Sequence, residues 1–167
     1  MHSSLLIMGI GNALKGDDGV GPYVAELLAT ETVAGAQLSG MQLGIQSIDC
    51  GTVPENYTGV IRRLHPDHLV LVDAAEMGLP VGAVRVIPAD AIGALGLSTH
   101  SMPLSMFMSY VADLAGRVTL VGIQPESMLL GREMCEKVRV AGEKLAQILR
   151  AGGLAGVPLL GDDSSRL

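Results

Sequence analysis

Short apolar runs alternate with stretches of helical periodicity along most of the chain. Five apolar runs predict β-strands, at residues 4–10, 41–50, 68–73, 83–88 and 118–123. Four longer stretches predict helices, at residues 19–31, 55–65, 102–116 and 133–151. This alternation is typical of βαβ units, in which helices cover a largely parallel sheet, so we predict an α/β fold.

The connection between the third and fourth predicted strands is unusually short. It spans nine residues, 74–82, and contains two glycines and a proline. A crossover between parallel strands generally requires roughly a dozen residues or more. We therefore predict that strand four is antiparallel and that the sheet is mixed. The third run, 68–73, is aliphatic almost throughout, which suits a central strand buried on both faces.

Sequence signals also mark the ends of the last two predicted helices. Ser101 is predicted to be the N-cap of the helix at 102–116, with Pro103 in the first turn. After residue 151 the helical period fails and turn-forming residues follow. We predict a single domain over residues 1–151 and a flexible C-terminal tail over residues 152–167.

Composition and charge exclude several classes of partner. Hydrophobic residues make up 49% of the chain and the formal net charge is -6, so nucleic acid is not an expected partner. No apolar run approaches the ~20 residues of a membrane-spanning helix, and two cysteines are too few for a disulfide framework. The glycines near residues 9–16 lack the spacing of a dinucleotide site, so no organic cofactor is predicted. We expect a soluble, cytoplasmic protein.

Several polar residues are predicted to meet at one edge of the sheet. Asp18 follows the first strand, Asp73 ends the third, and His100 precedes the helix that leads into the fifth. Loops and helix N-termini gather at the carboxyl ends of parallel strands, where open α/β sheets bind ligands. Two carboxylates and one imidazole suit Zn²⁺ or Ni²⁺ and leave positions open for water or substrate. Such an ion could polarise a peptide carbonyl.

Each of these residues also has an ordinary structural explanation. Asp18 could cap the following helix, Asp73 could accept hydrogen bonds from loop amides, and His100 could be a plain loop histidine. Cys50 ends the second strand at the same edge, so a Cys nucleophile with a His base and an Asp orienter is a competing hypothesis. For Cys50 the structural explanation is a buried thiol that packs as a small hydrophobe.

Five sequence elements carry a resemblance to a known family. They are LLIMGIGNALKGDDGVGP, IDCGTVPEN, HLVLVDAAEMGLPVGAVRVI, STHSMPL and LVGIQPES. In this order and spacing they resemble the [NiFe]-hydrogenase maturation endopeptidases, peptidase family M52, over about residues 5–149. The chain looks most similar to the branch that processes the large subunit of hydrogenase 3, the formate hydrogenlyase hydrogenase.

The resemblance implies a three-layer α/β/α sandwich with a five-stranded, mostly parallel sheet. It also implies a monomeric endopeptidase that removes a C-terminal extension from the hydrogenase large subunit precursor after nickel insertion. The nickel is then supplied by the substrate, and zinc or cadmium is expected to replace it in crystals. The metal-contacting and catalytic positions of the family fall on Asp18, Asp73 and His100 of this sequence.

The resemblance also assigns roles to neighbouring residues. Asp17 is expected to hold the turn as a structural neighbour, although an exchange of roles with Asp18 stays open. The loop implicated in substrate discrimination corresponds to residues 49–52, so Asp49, Gly51 and Thr52 are predicted to contact substrate. The family usually has Gly at the position of Cys50, which weakens the nucleophile hypothesis. A non-catalytic chaperone that binds nickel or the large subunit is a further alternative.

Overall fold

The computed structural model describes residues 3–35 and 44–162, and within them five strands form one sheet. The strands are β1 (Leu5–Gly9), β2 (Ile45–Asp49), β3 (His68–Ala74), β4 (Val84–Ile87) and β5 (Arg117–Ile123). Their order across the sheet is β2-β1-β3-β5-β4. All neighbouring strands are parallel except β4, which is antiparallel to β5. The predicted mixed sheet with an antiparallel fourth strand is confirmed.

Helices cover both faces of this sheet. They are α1 (Val20–Gly35), α2 (Thr58–Leu64), α3 (Ala89–Ile92), α4 (Leu104–Val111) and α5 (Glu136–Arg150). Side chains of β1 alternate between the two faces, because Leu5 and Ile7 pack in the cluster with α1 and α5, whereas Leu6 and Met8 pack with α2, α3 and α4. The three-layer α/β/α architecture is therefore confirmed. None of the helices in residues 3–35 and 44–162 has the length and hydropathy of a membrane span.

The predicted bounds of the helix at 102–116 are wrong. The helix α4 begins at Leu104 rather than residue 102, ends at Val111 rather than residue 116, and has Pro103 at its N-cap position. Ser101 does not cap it, because the hydroxyl of Ser101 donates to Glu55 instead. A tight turn precedes the helix, in which the amide of Thr99 donates to the carbonyl oxygen of Met102 at 2.8 Å. The residues of this turn therefore cannot extend the helix.

Part of the predicted tail contacts the edge strand β4. The amide of Val86 donates to the carbonyl oxygen of Pro158 at 2.9 Å, and the amide of Leu160 donates to Val86 at 2.8 Å. Val157 is buried against the cluster that contains α1 and α5. These contacts satisfy the outward backbone groups of Val86 on β4, which has no other neighbouring strand in the described sheet. Flexibility of residues 152–167 stays a prediction, and residues 163–167 lie outside the described residues.

Candidate functional site

The loop after β1, the loop after β2 and the loop that precedes α4 meet at one edge of the sheet. The amide of Gly11, after β1, donates to the carbonyl oxygen of Gly51, after β2, at 2.9 Å. The amide of His100 donates to the carbonyl oxygen of Thr52 at 2.7 Å. The loop that carries His100 therefore lies at the same edge of the sheet as the loops after the first three strands, as the parallel arrangement of β5 requires.

Asp18 lies in a 3-10 turn, Gly16–Gly19, that runs directly into α1. One carboxylate oxygen of Asp18, Oδ2, accepts a hydrogen bond from the amide of Asn12 at 2.8 Å. The structural alternative, in which Asp18 caps α1, is wrong, since the carboxylate folds back on the preceding loop. That hydrogen bond closes the loop between β1 and α1 and fixes the position of a half-buried carboxylate.

Asp73 lies near the end of the central strand β3 and is only 5% exposed. Burial raises the pKa of Asp73 well above its usual value, and the negative charge of Asp18 raises it further. A backbone hydrogen bond from Ala74 opposes these effects only partly. When two carboxyl groups are neighbours and one is buried, two negative charges are unfavourable. Binding of a proton or a cation then stabilises the pair. Asp18 and Asp73 are thus close enough to interact electrostatically.

His100 lies on the exposed turn before α4, and its charge is felt by Glu55. In residues 3–35 and 44–162, no three His, Cys, Asp or Glu side chains are arranged so that they could hold a metal ion. The structure therefore pairs the two aspartates and places His100 on an adjacent loop, without a closed three-residue metal site in that part of the chain. Two carboxylates are suitable ligands for a divalent cation.

The other described histidines, His65 and His68, lie at the opposite edge of the sheet. His68 begins β3 and is paired in register with Arg117, the first residue of β5. A ring nitrogen of His68, Nε2, lies 2.8 Å from the hydroxyl oxygen of Thr119. His65 follows the C-terminus of α2 in a left-handed conformation. Both residues therefore have structural positions remote from the carboxyl edge, and His2 lies outside the described residues.

Asp17 anchors a distant loop and is only 1% exposed. Its Oδ2 accepts hydrogen bonds from the amides of Glu126 at 2.7 Å and Ser127 at 3.1 Å, and its Oδ1 accepts from the amide of Cys135 at 2.8 Å. These three hydrogen bonds hold the loop between β5 and α5 against the loop that carries Asp18. Asp17 therefore acts as the structural neighbour that the sequence suggested.

Cys50 is poorly suited to be a nucleophile. The residue is 2% exposed and packs in the cluster with α2, α3 and α4. Burial, followed by the charges of Asp49 and Glu55, raises the pKa of the Cys50 thiol to about 12. Because the thiolate is the reactive form, the geometry argues against the competing Cys hydrolase.

The predicted substrate-contacting residues line an open cleft, and another lining residue, Asn12, donates its amide to Asp18. The cleft has a volume of about 340 Å³ and is lined by Gly11, Asn12, Ala13, Pro22, Asp49, Gly51 and Thr52. The amide of Gly51 donates to Oδ1 of Asp49 at 2.9 Å, and Gly51 has a φ of 52°, a left-handed conformation that favours glycine. This tight turn exposes backbone and small side chains, so an extended peptide could approach closely.

Comparison with known proteins gives consistent matches over most of the chain. A family model of hydrogenase maturation proteases (HycI) matches residues 29–151. The hydrogenase 3 maturation protease of Escherichia coli is 34% identical over 155 residues, which cover 90% of this chain and 94% of that protein. The matched range of the family model includes Asp73 and His100, whereas Asp18 precedes it.

Solved structures with the same fold agree with this similarity. The solution structure of an endopeptidase, HycI, from Escherichia coli matches with a TM-score of 0.80 at 32% identity, over 96% of this chain and 98% of that one. The crystal structure of a [NiFe] hydrogenase maturation protease, HycI, from Thermococcus kodakarensis matches with a TM-score of 0.73 at 34% identity. That match covers 89% of this chain and 91% of the other.

Proposed function

Because this chain belongs to the hydrogenase maturation protease family and is a peptidase, we propose that it processes the large subunit precursor of a [NiFe] hydrogenase. The proposed reaction hydrolyses one peptide bond and releases the C-terminal extension of a nickel-loaded precursor. The observation that carries this proposal is the position of Asp18, which interacts electrostatically with the buried Asp73 and accepts a hydrogen bond from Asn12 of the open cleft. The similarity to a protein named a [NiFe] hydrogenase maturation protease supports the substrate class.

We further propose that Asp18, Asp73 and His100 contact the nickel of the precursor. A buried carboxyl group beside a second carboxylate is unfavourable as an anion, and a divalent cation would offset that cost. An ion that is already held by the precursor needs fewer ligands from the protease than a resident ion does. Two carboxylates and one imidazole from an adjacent loop are sufficient for such docking. Zinc or cadmium would substitute, since both accept nitrogen and oxygen ligands.

In this proposal the nickel serves for recognition and orientation. Docking of the ion would fix the adjoining peptide along the cleft formed by Asp49, Gly51 and Thr52. One carboxylate of the Asp18–Asp73 pair would then act as the general base toward the attacking water. The raised pKa of Asp73 also makes its carboxyl group a suitable proton carrier at neutral pH. We propose that the protein acts in the cytoplasm as a monomer.

The test is cleavage of a purified nickel-loaded precursor, followed by gel mobility. Variants His100→Ala and Asp73→Asn should each lose activity by roughly 10²-fold or more, while the exposed controls His65→Ala and Asp113→Asn should cleave like the parent. Nickel-free precursor should remain uncut. Full activity in both site variants would overturn the proposal. A chain that binds precursor without changing its length would instead be a chaperone.

A further inference from the structure

Glu55 belongs to the PEN element of the sequence and lies in a short 3-10 turn, Pro54–Tyr57, just beyond the cleft loop. Its two carboxylate oxygens have different surroundings. Oε1 accepts a hydrogen bond from the hydroxyl of Ser101 at 2.7 Å. Oε2 is shielded from solvent, yet no hydrogen-bond partner for it exists among the described residues. An acceptor in this position is costly to leave unpaired, which indicates that a donor forms a hydrogen bond with it in the functional complex.

The backbone around His100 is fixed to the same segment that carries Glu55. The amide of His100 donates to Thr52 at 2.7 Å, and the next residue, Ser101, donates to Glu55. Thr99 is buried, and its hydroxyl accepts from the amides of Ser101 and Met102 at 3.2 Å and 3.1 Å. These contacts leave mainly the side-chain torsions of His100 free to orient the exposed ring.

The ring and the carboxylate also interact electrostatically. Burial alone would raise the pKa of Glu55, but the hydrogen bond from Ser101 and the positive charge of His100 contribute to holding it below the usual value. The hydrogen bond from Ser101 places this carboxylate beside the turn that carries His100.

We propose that Oε2 of Glu55 accepts the N–H of the His100 ring that points away from the substrate's nickel, which makes Glu55 a positioning residue for His100. This inference rests on the proposed nickel contact. A histidine that binds a metal through one ring nitrogen almost always donates the other ring N–H, and the acceptor fixes its tautomer and orientation. The unpaired oxygen of Glu55 is an acceptor already in place for that hydrogen bond.

The test replaces the acceptor without changing the size of the side chain. In Glu55→Gln the amide oxygen can still accept from Ser101, but the amide nitrogen cannot accept from His100. The control is Glu136→Gln, since that side chain is 83% exposed on α5. Equilibrium binding and steady-state cleavage of nickel-loaded precursor are measured for both variants and for each in combination with His100→Ala. Thermal unfolding confirms that each variant is folded.

Glu55→Gln should weaken binding of nickel-loaded precursor by about 10- to 100-fold, with a rise in KM larger than the fall in kcat. In the His100→Ala background, Glu55→Gln should cause no further loss of binding, because its effect depends on the His100 ring. An equal loss in both backgrounds, or full activity of Glu55→Gln, would overturn the inference. If Glu55→Gln does not fold, Ser101→Ala replaces it and should show a smaller loss with the same dependence on His100.

The proposed function fails by a different result. If His100→Ala binds and cleaves nickel-loaded precursor like the parent, the nickel contact itself is wrong. If His100→Ala is inactive while Glu55→Gln is fully active, only the positioning role is wrong.

Discussion

The carboxylate of Asp18 lies close enough to Asp73 to raise the pKa of a carboxyl group that burial already disfavours as an anion. The folded chain therefore loses stability as the pH rises above ~4, where Asp73 of the unfolded chain ionises. Asp73→Asn removes this cost, so the metal-free variant should be more stable than the parent at pH 7. The expected gain is on the order of 1 kcal/mol, or about 2–4 °C in a domain of this size.

Thermal unfolding of both chains at pH 7 and pH 4.5 checks this prediction. The difference should shrink at the lower pH, where the parent carboxyl group is protonated in more of the folded molecules. A variant that is less stable than the parent at both pH values would contradict the stated cause.

Substitution by Asn should have different effects at the neighbouring residues Asp17 and Asp18. Asp17→Asn places an amide NH₂ where the carboxylate accepts backbone N–H groups, so it should lower the free energy of unfolding by about 2–4 kcal/mol. Asp18→Asn should cost little stability yet abolish precursor cleavage. Urea unfolding with Asp113→Asn as exposed control measures the first effect. Comparable stability of both variants would show that Asp17 is not the anchor of the distant loop.

Cys50 should be chemically inert in the folded protein. The thiol is buried and its pKa is raised to about 12, so the reactive thiolate is scarce at neutral pH. Treatment of the native chain with iodoacetamide should leave Cys50 unmodified by mass spectrometry. The variant Cys50→Ala should keep its cleavage activity. Loss of activity in a folded Cys50→Ala protein would instead favour the thiol hydrolase.

Gly21 permits the close contact between α1 and the sheet. A Cβ atom at this position would overlap the carbonyl oxygens of Ile10 and Val72. Gly21→Ala should therefore destabilise the fold by roughly 2 kcal/mol or more. Gly59 lies in α2 with open space where a Cβ atom would stand, so Gly59→Ala should gain about 0.5–1 kcal/mol. Urea unfolding of the two variants compares them, and equal effects would contradict this packing argument.

The environment of His68 predicts how the free energy of unfolding changes at acidic pH. Burial, and then the charge of Arg117, lowers the pKa of His68 to about 4 in the folded chain, against ~6.5 when unfolded. Between these values the unfolded chain binds a proton that the folded chain does not, so stability falls as the pH drops from ~6.5 to ~4. Relative to His68→Gln, the parent should lose about 1–2 kcal/mol from pH 7 to pH 4.5, allowing for partial exposure of the ring.

Urea unfolding of the two proteins across this pH range isolates the histidine from other titrating groups. Parallel curves for the parent and His68→Gln would contradict the assignment.

The layer structure could be predicted because its determinants are local. The nine residues between β3 and β4 are too few for a parallel crossover, which is enough to orient β4. The aliphatic run before Asp73 identifies the central strand. Placement of Asp18 and Asp73 at one edge then follows from the parallel order of β1 and β3.

The contacts of polar side chains could not be predicted, because their partners are distant in sequence. Ser101 resembles a helix cap locally, but its hydroxyl bonds to Glu55, 46 positions away. The partners of Asp17 lie 109 to 118 positions away, and a local pattern cannot show which of two adjacent aspartates reaches them. The orientation of the His100 ring depends on side-chain torsions that no sequence period determines.

The contact of residues 158–160 with β4 bears on how a shortened chain would behave. Removal of the residues after 151 would leave the outer backbone groups of Val86 exposed, and such an open strand edge recruits strands from other molecules. Aggregation of a truncated protein would then report sheet extension between copies, although the edge that carries Asp18 and Asp73 remained intact.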